Sequence, residues 1–284
     1  MMRDFDHGPA LLFCPADRPD RYAKALERAD SLILDLEDAV APADRASARE
    51  SMARVRLDPS RVIVRVNPAG SADFVHDLET VTRCGYDTVM LAKTSSPADV
   101  DAVGSHDRSL AVVALCESAA GIMAAAQVAA QPSVIALMWG AEDLIASLGG
   151  TSSRFAASTG SPHTVGAGRY RAVAEHARSV VLLAAGAHDK AAIDTVHLDI
   201  ADLDGLRAEA EDAVASGFDA TACIHPAQVH VIRDAYRPHG DDVARARALL
   251  SEAAHHSGVF RYGDVMVDGP VLRHAEALIR RADA

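Results

Sequence analysis

The run Ser31-Leu32-Ile33-Leu34-Asp35-Leu36-Glu37-Asp38 is apolar through consecutive residues and then turns abruptly acidic. An unbroken apolar run of strand length marks a strand buried on both faces, as in a parallel sheet. The same grammar recurs at residues 10–14, 62–66, 88–92, 111–116, 134–139, 193–196 and 221–224, which makes eight such runs. Between them lie longer Ala-, Arg- and Glu-rich segments of helical period: 20–29, 43–55, 71–84, 119–130, 168–187, 204–216 and 227–235. Alternating strand and helix gives either an open doubly wound sheet or a closed barrel. Eight units favour the barrel.

The chain has 284 residues, room for one barrel of about 250 residues and a tail. The fold class expected is α/β, a (β/α)8 TIM barrel over residues 1–236 with a C-terminal helical extension over 237–284. That extension reads as two helices, 241–256 and 269–281, joined by a short 260–267 segment carrying the Gly263-Asp264 turn signal. One longer insertion, 151–168, is rich in Gly, Ser and Thr and is expected to be a loop at the barrel mouth.

With 49% hydrophobic residues the chain has ample material for a large core. Its net charge of −12 and lack of any basic block argue against nucleic acid or an anionic membrane as partner. No apolar run approaches the roughly 18 residues that span a bilayer. The first residues carry Arg3, Asp4 and Asp6 without an apolar stretch, so no signal peptide is expected. Cys14, Cys84, Cys116 and Cys223 show no Cys-x-x-Cys spacing and read as buried free thiols in a reducing cytoplasm.

The chemistry gathers where the strands end. Enzymes on this architecture build their sites from the C-terminal ends of the strands, and polar groups follow nearly every run here. Asp35, Glu37 and Asp38 put three carboxylates after one strand, which calls for a cation, a salt-bridged rim or solvent. Glu117 and Asp143 end consecutive strands, which lie about 4.8 Å apart in a sheet. Two carboxylates, completed by water and substrate oxygens, form a ligand set suited to Mg2+. Their plainer reading is capping or ion pairing. Arg65 offers a planar fork for a carboxylate or an enolate oxygen, or a counter-charge to the acidic trio, and Asn67 follows it. Lys93 is either a Schiff-base lysine or, more simply, another counter-charge. Arg18 and Lys24 flank the first strand-to-helix turn and could hold phosphates. Gly166-Ala167-Gly168 lacks a third glycine and is no nucleotide fingerprint. His225 reads as a packed, hydrogen-bonded residue, and His255-His256 as a solvated helix end.

Several of these stretches together resemble one family. They are Leu12-Phe13-Cys14-Pro15-Ala16-Asp17-Arg18-Pro19, Leu34-Asp35-Leu36-Glu37-Asp38-Ala39-Val40, Val64-Arg65-Val66-Asn67, Gly140-Ala141-Glu142-Asp143-Leu144 and Ile224-His225-Pro226-Ala227-Gln228-Val229. Their order and spacing resemble the citrate lyase β-subunit-like (CitE-like) branch of the HpcH/HpaI aldolase superfamily, across nearly the whole chain. The resemblance implies a Mg2+-dependent carbon–carbon lyase. Such an enzyme cleaves a 3-hydroxyacyl-CoA of citramalyl-, malyl- or hydroxymethylglutaryl-CoA type to acetyl-CoA and an oxo acid, reversibly.

By that resemblance Glu117 and Asp143 are metal ligands. Arg65 binds the oxo-acid portion and stabilises the enolate, with Asp38, Glu37 and Lys93 nearby. Arg18 and Lys24 face the coenzyme A phosphates, and Asn67 belongs to the substrate side. Met266-Val267-Asp268-Gly269-Pro270 resembles the family's lid, in which an aspartate, here Asp268, acts as acid or base in a neighbouring subunit. A homo-oligomer follows, commonly a trimer. Two positions depart from the usual pattern: Ala120 stands where the family commonly has arginine, and Ala92 where it has proline. The alternatives are a citryl-thioester subunit working on an acyl-carrier protein, a metal aldolase on free acids, and an inactive barrel with a binding role.

Overall fold

The computed structural model describes residues 5–155 and 168–283. Eight strands form the centre: β1 (Ala10–Pro15), β2 (Ser31–Asp35), β3 (Val62–Val66) and β4 (Thr88–Leu91), followed by β5 (Ala111–Cys116), β6 (Val134–Trp139), β7 (Ala191–Asp194) and β8 (Ala220–Cys223). They pair in parallel in chain order, and β8 returns to β1, so the sheet closes into a barrel. Around it run α1 (Pro19–Arg28), α2 (Arg45–Arg54), α3 (Phe74–Cys84), α4 (Pro97–His106) and α5 (Ala119–Ala129). The ring continues with α6 (Ala141–Ser147), α7 (Ala172–Ala187), α8 (Leu203–Ser216) and α9 (Pro226–Tyr236). Beyond it come α10 (Gly240–Ala253), an antiparallel hairpin of β9 (Phe260–Tyr262) and β10 (Val265–Val267), and α11 (Gly269–Asp283) packed on α10.

The two-residue period of the strands sorts the core into two layers. Leu11, Ile33, Ile63, Met90, Val113, Leu115, Ala136, Met138 and Ile193 fill the barrel interior. Leu12, Leu34, Val64, Val89, Leu91, Val112, Ala114 and Leu137 face the helices in a separate, larger cluster. The site follows from this parity. Arg65 lies two residues beyond Ile63, Asp35 two beyond Ile33, and Glu117 two beyond Leu115, so each takes the inward face at the C-terminal mouth.

The structure departs from the sequence expectation at particular elements. α4 was not anticipated: its start is fixed by Asp99 Oδ2 accepting from Ser96 N at 2.9 Å, with Pro97 opening the helix, but Gly104 and Ser105 blur the apolar period. α6 was also missed, being a short helix immediately after β6. β7 and β8 begin at Ala191 and Ala220, earlier than the runs expected at 193–196 and 221–224. Alanine carries little strand signal, yet all four residues of each strand are buried. Most of the 151–168 insertion lies outside the described residues. Among the described residues no helix is long and apolar enough to cross a membrane.

Candidate active site at the barrel mouth

A cavity of about 400 Å3 opens at the C-terminal end of the strands. Its lining joins charged and polar side chains, Asp35, Asp38, Arg65, Glu117, Glu142 and Asp143, with an apolar set of Phe13, Leu115, Met138, Val196, Leu198 and Ile224.

Arg65 is held rigidly. β2 and β3 pair with Asp35 opposite Arg65, and the guanidinium grips that carboxylate through both prongs: Nε to Oδ1 at 2.7 Å and Nη2 to Oδ2 at 2.6 Å. Asp35 also accepts from the backbone N–H of Glu37 and Ala39 at 2.9 and 3.0 Å, so its lone pairs are spent on positioning. The remaining Nη1 lies 3.4 Å from Glu37 Oε2 and 3.9 Å from Asp38 Oδ2, and the guanidinium sits over the Phe13 ring at 4.9 Å. Burial alone would weaken the cation, but the Asp35 bonds and the charges of Glu37 and Glu117 override it and raise its pKa.

Glu117 is 3% exposed. Burial, reinforced by the charge of Asp143 and only partly offset by Arg65, pushes its carboxyl up to about 8. Its Oε1 accepts from Lys93 N at 3.0 Å. The next strand makes room for it: a Cβ on Gly140 would stand 2.7 Å from Glu117 Cβ and 2.8 Å from Oε2. Asp143 comes from the first turn of α6 and is partly exposed. Its neighbour Glu142 accepts a short hydrogen bond from the buried Ser153 hydroxyl.

Lys93 adopts a left-handed backbone (φ +52°), unusual for a non-glycine residue. Its Nζ is ion-paired with Glu37 and lies 3.6 Å from both Asp38 Oδ1 and Asp143 Oδ1. Burial opposes its charge, but these carboxylates prevail and hold the ammonium above the usual lysine range. A Schiff-base nucleophile needs the opposite, a readily neutral amine, so the electrostatics favour the counter-charge reading. Glu37 is itself raised by burial, against the pull of Lys93 and Arg65, and its Oε2 has no hydrogen-bond partner.

The structure thus gathers Arg65, Asp38, Glu37, Lys93, Glu117 and Asp143 at one mouth. Four other candidates lie elsewhere. Asn67 must be corrected: it is buried and not part of the cavity lining, with Nδ2 donating to Leu36 O at 3.0 Å and to Asp77 Oδ2 at 2.7 Å. Asp77 in turn takes Arg49 at 2.8 Å, so Asn67 ties the post-β2 turn to α3. Arg18 stands at the N-cap position of α1 without a side-chain capping bond, exposed and paired with Asp20 at 3.3 Å, and Lys24 is exposed farther along α1. Asp268 opens α11 on the extension, apart from this chain's own cavity lining, where its Oδ1 accepts from Val271 N at 3.4 Å. His225 also needs correcting: it is exposed, not packed, and its Nδ1 caps α9 by accepting from Ala227 N at 3.1 Å. The apolar wall of Phe13, Val196, Leu198 and Ile224 went unassigned in the sequence, although Phe13 shares the inward parity of Leu11.

The donors that could hold a metal are carboxylate oxygens only. Among the described residues no group of three or more His, Cys, Asp or Glu is placed to enclose an ion by itself. A pair of hard oxygen donors at an open mouth, with one carboxyl destabilised by its partner's charge, fits a hydrated divalent cation such as Mg2+.

Comparison with known proteins agrees with this architecture. Residues 10–226 match the family model HpcH/HpaI aldolase/citrate lyase. A citrate lyase subunit beta-like protein of Mycobacterium tuberculosis is 50% identical over 275 residues, spanning 97% of this chain and 96% of that protein. A (3S)-malyl-CoA thioesterase of Cereibacter sphaeroides is 30% identical, spanning 96% and 92%. Among solved structures, CitE from M. tuberculosis in complex with magnesium, acetoacetate and coenzyme A is 49% identical, covers 98% of each chain and superposes with a TM-score of 0.88.

Proposed function

The chain belongs to the HpcH/HpaI aldolase/citrate lyase family, and from that premise we propose that it is a Mg2+-dependent carbon–carbon lyase. Its substrate would be a 3-hydroxyacyl-CoA of citramalyl-, malyl- or hydroxymethylglutaryl-CoA type, cleaved reversibly to acetyl-CoA and an oxo acid. The observation that carries this reading is the rigid Arg65 cation lining one cavity together with the Glu117–Asp143 pair. The relative crystallised with magnesium, acetoacetate and coenzyme A supports the same ligand classes here.

Glu117 and Asp143 would hold the ion, which when bound would polarise the substrate's hydroxyl and carboxylate oxygens and make the hydroxyl easier to deprotonate. A carboxylate then takes the hydroxyl proton; Asp38, half-exposed in the cavity wall, Glu37 behind it, and Asp268 of a neighbouring subunit are the candidates. The hydroxyl-bearing carbon becomes the carbonyl of the oxo acid as its bond to the acyl α-carbon breaks. The electron pair passes into the thioester enolate, and protonation of that carbon gives acetyl-CoA. Arg65, preorganised by Asp35, meets the developing oxyanion without rearranging, and Lys93 adds positive potential. The apolar wall of Phe13, Leu115 and Met138 keeps water from the enolate. Arg18 and Lys24 at the rim would face the coenzyme A phosphates. Asp268 acting in a neighbouring subunit would require a homo-oligomer, a trimer by family likeness.

A second reading, a citryl-thioester subunit acting on an acyl-carrier protein, is favoured by the 30% identity to citrate lyase subunit beta of Haemophilus influenzae. Acetyl-CoA release from citramalyl-CoA and malyl-CoA by the purified chain separates the two. The lyase reading predicts release from at least one of the free CoA esters, and their rate ratio reports the preferred oxo acid. Turnover only with carrier-bound citryl groups would replace it. An apolar pocket discriminates one methyl by about 1–3 kcal/mol, so overlapping use of several esters is expected.

A further inference from the structure

We propose that Lys93 is the resident counter-cation of the metal-binding carboxylates, setting how tightly they take a divalent ion. The inference rests on the reading of Glu117 and Asp143 as the metal pair. Lys93 touches both of them, each through a different part of itself. Its backbone N–H donates to Glu117 Oε1 at 3.0 Å, and its Nζ stands 3.6 Å from Asp143 Oδ1.

This double contact depends on the left-handed turn. In β4, Met90 faces the barrel interior while Val89 and Leu91 face the helices. Continued alternation would send residue 93 outward as well. The positive φ at Lys93 breaks that alternation and brings the ammonium back over the mouth. The turn is locked from both sides: Thr94 N donates to Leu115 O at 3.0 Å, and a Cβ on Gly121 would stand 2.3 Å from Thr94 O. A strained backbone persists where its surroundings over-determine it, and here they hold one cation among Glu37, Asp38 and Asp143.

Arg65 serves the other member of the pair, its charge lowering the pKa of Glu117 while two of its nitrogens are committed to Asp35. The ammonium therefore offsets charge at Asp143 before any metal arrives, and repels the metal once it does.

The test is Mg2+ titration calorimetry on EDTA-stripped wild type, K93M and K93R. Deleting a like charge a few ångström from the ion should tighten Mg2+ binding by about tenfold or more, while K93R stays near wild type. In K93M, Mg2+ should also raise the thermal midpoint by more than it does in wild type. K93Q keeps a hydrogen-bond donor for the buried Glu37 and covers a K93M that does not fold. Equal or weaker Mg2+ binding by K93M or K93Q, with wild type binding normally, would overturn the counter-cation role and leave the metal pair intact. No Mg2+ binding by any of these proteins would overturn both.

Discussion

Glu117 shows how one residue's burial becomes a measurable property of the whole chain. In the fold its carboxyl protonates near 8, against an ordinary value of 4.5, first because it is buried and second because Asp143 faces it. Between those two values the folded chain keeps a proton that the unfolded chain has already released. Its contribution to stability without metal is therefore fully present below about 4.5 and is lost as pH rises through about 8. In melting curves of EDTA-treated protein between about pH 5 and 8, the midpoint of wild type should drop relative to that of Glu117→Gln as pH rises. Parallel slopes in the two proteins would contradict the assignment. At this scale the sequence was informative where position alone sufficed. Glu117, Asp143, Arg65 and Lys93 were recognisable because each ends or follows an apolar run. Asn67 ends one too, but its amide is spent on Leu36 and on Asp77, ten residues ahead, and that pairing leaves no local signal.

Among the elements, the β6–α6 junction carries a steric constraint that reaches Glu117 directly. Gly140 has an ordinary extended backbone (φ −123°), so what matters there is space: any Cβ would stand within 2.8 Å of the Glu117 carboxylate. Gly140→Ala should displace that carboxylate and lower the Mg2+-dependent rate by about a hundredfold, as expected for a small misplacement at a reacting centre. The thermal midpoint should change far less. An unimpaired rate would show that Glu117 need not sit where the structure holds it. Elements with β-branched runs, such as β3 and β5, were legible to the residue. The alanine-rich β7 and β8 were read with late starts, and that displaced the stretch carrying Thr195, Val196 and Leu198. Read as strand, Val196 was taken out of the mouth loop it belongs to, and half the apolar wall went unseen.

At the scale of the whole molecule, eight repeats were enough to decide for the barrel, because closure needs the count and the consecutive order that the chain displays. The extension is different. Its hairpin exposes Val265 at 57% and Met266 at 72%, beside an Asp268 apart from its own chain's cavity lining. A single sequence does not show which barrel such an arm serves. If Asp268 acts in a neighbouring subunit, mixing Asp268→Asn with Glu117→Gln protein, followed by subunit exchange, should restore part of the activity that each lacks alone. A mixture as inactive as its components would contradict an active site shared between subunits. The central claim, that Glu117 and Asp143 hold the metal on which cleavage depends, is met most directly by one assay. EDTA-stripped protein is given citramalyl-CoA and malyl-CoA, and acetyl-CoA is followed by chromatography with and without Mg2+. Release should require Mg2+ and disappear in Glu117→Gln and Asp143→Asn. Release that persists without metal, or that survives both substitutions, would contradict the account and return Lys93 to consideration as a Schiff-base nucleophile.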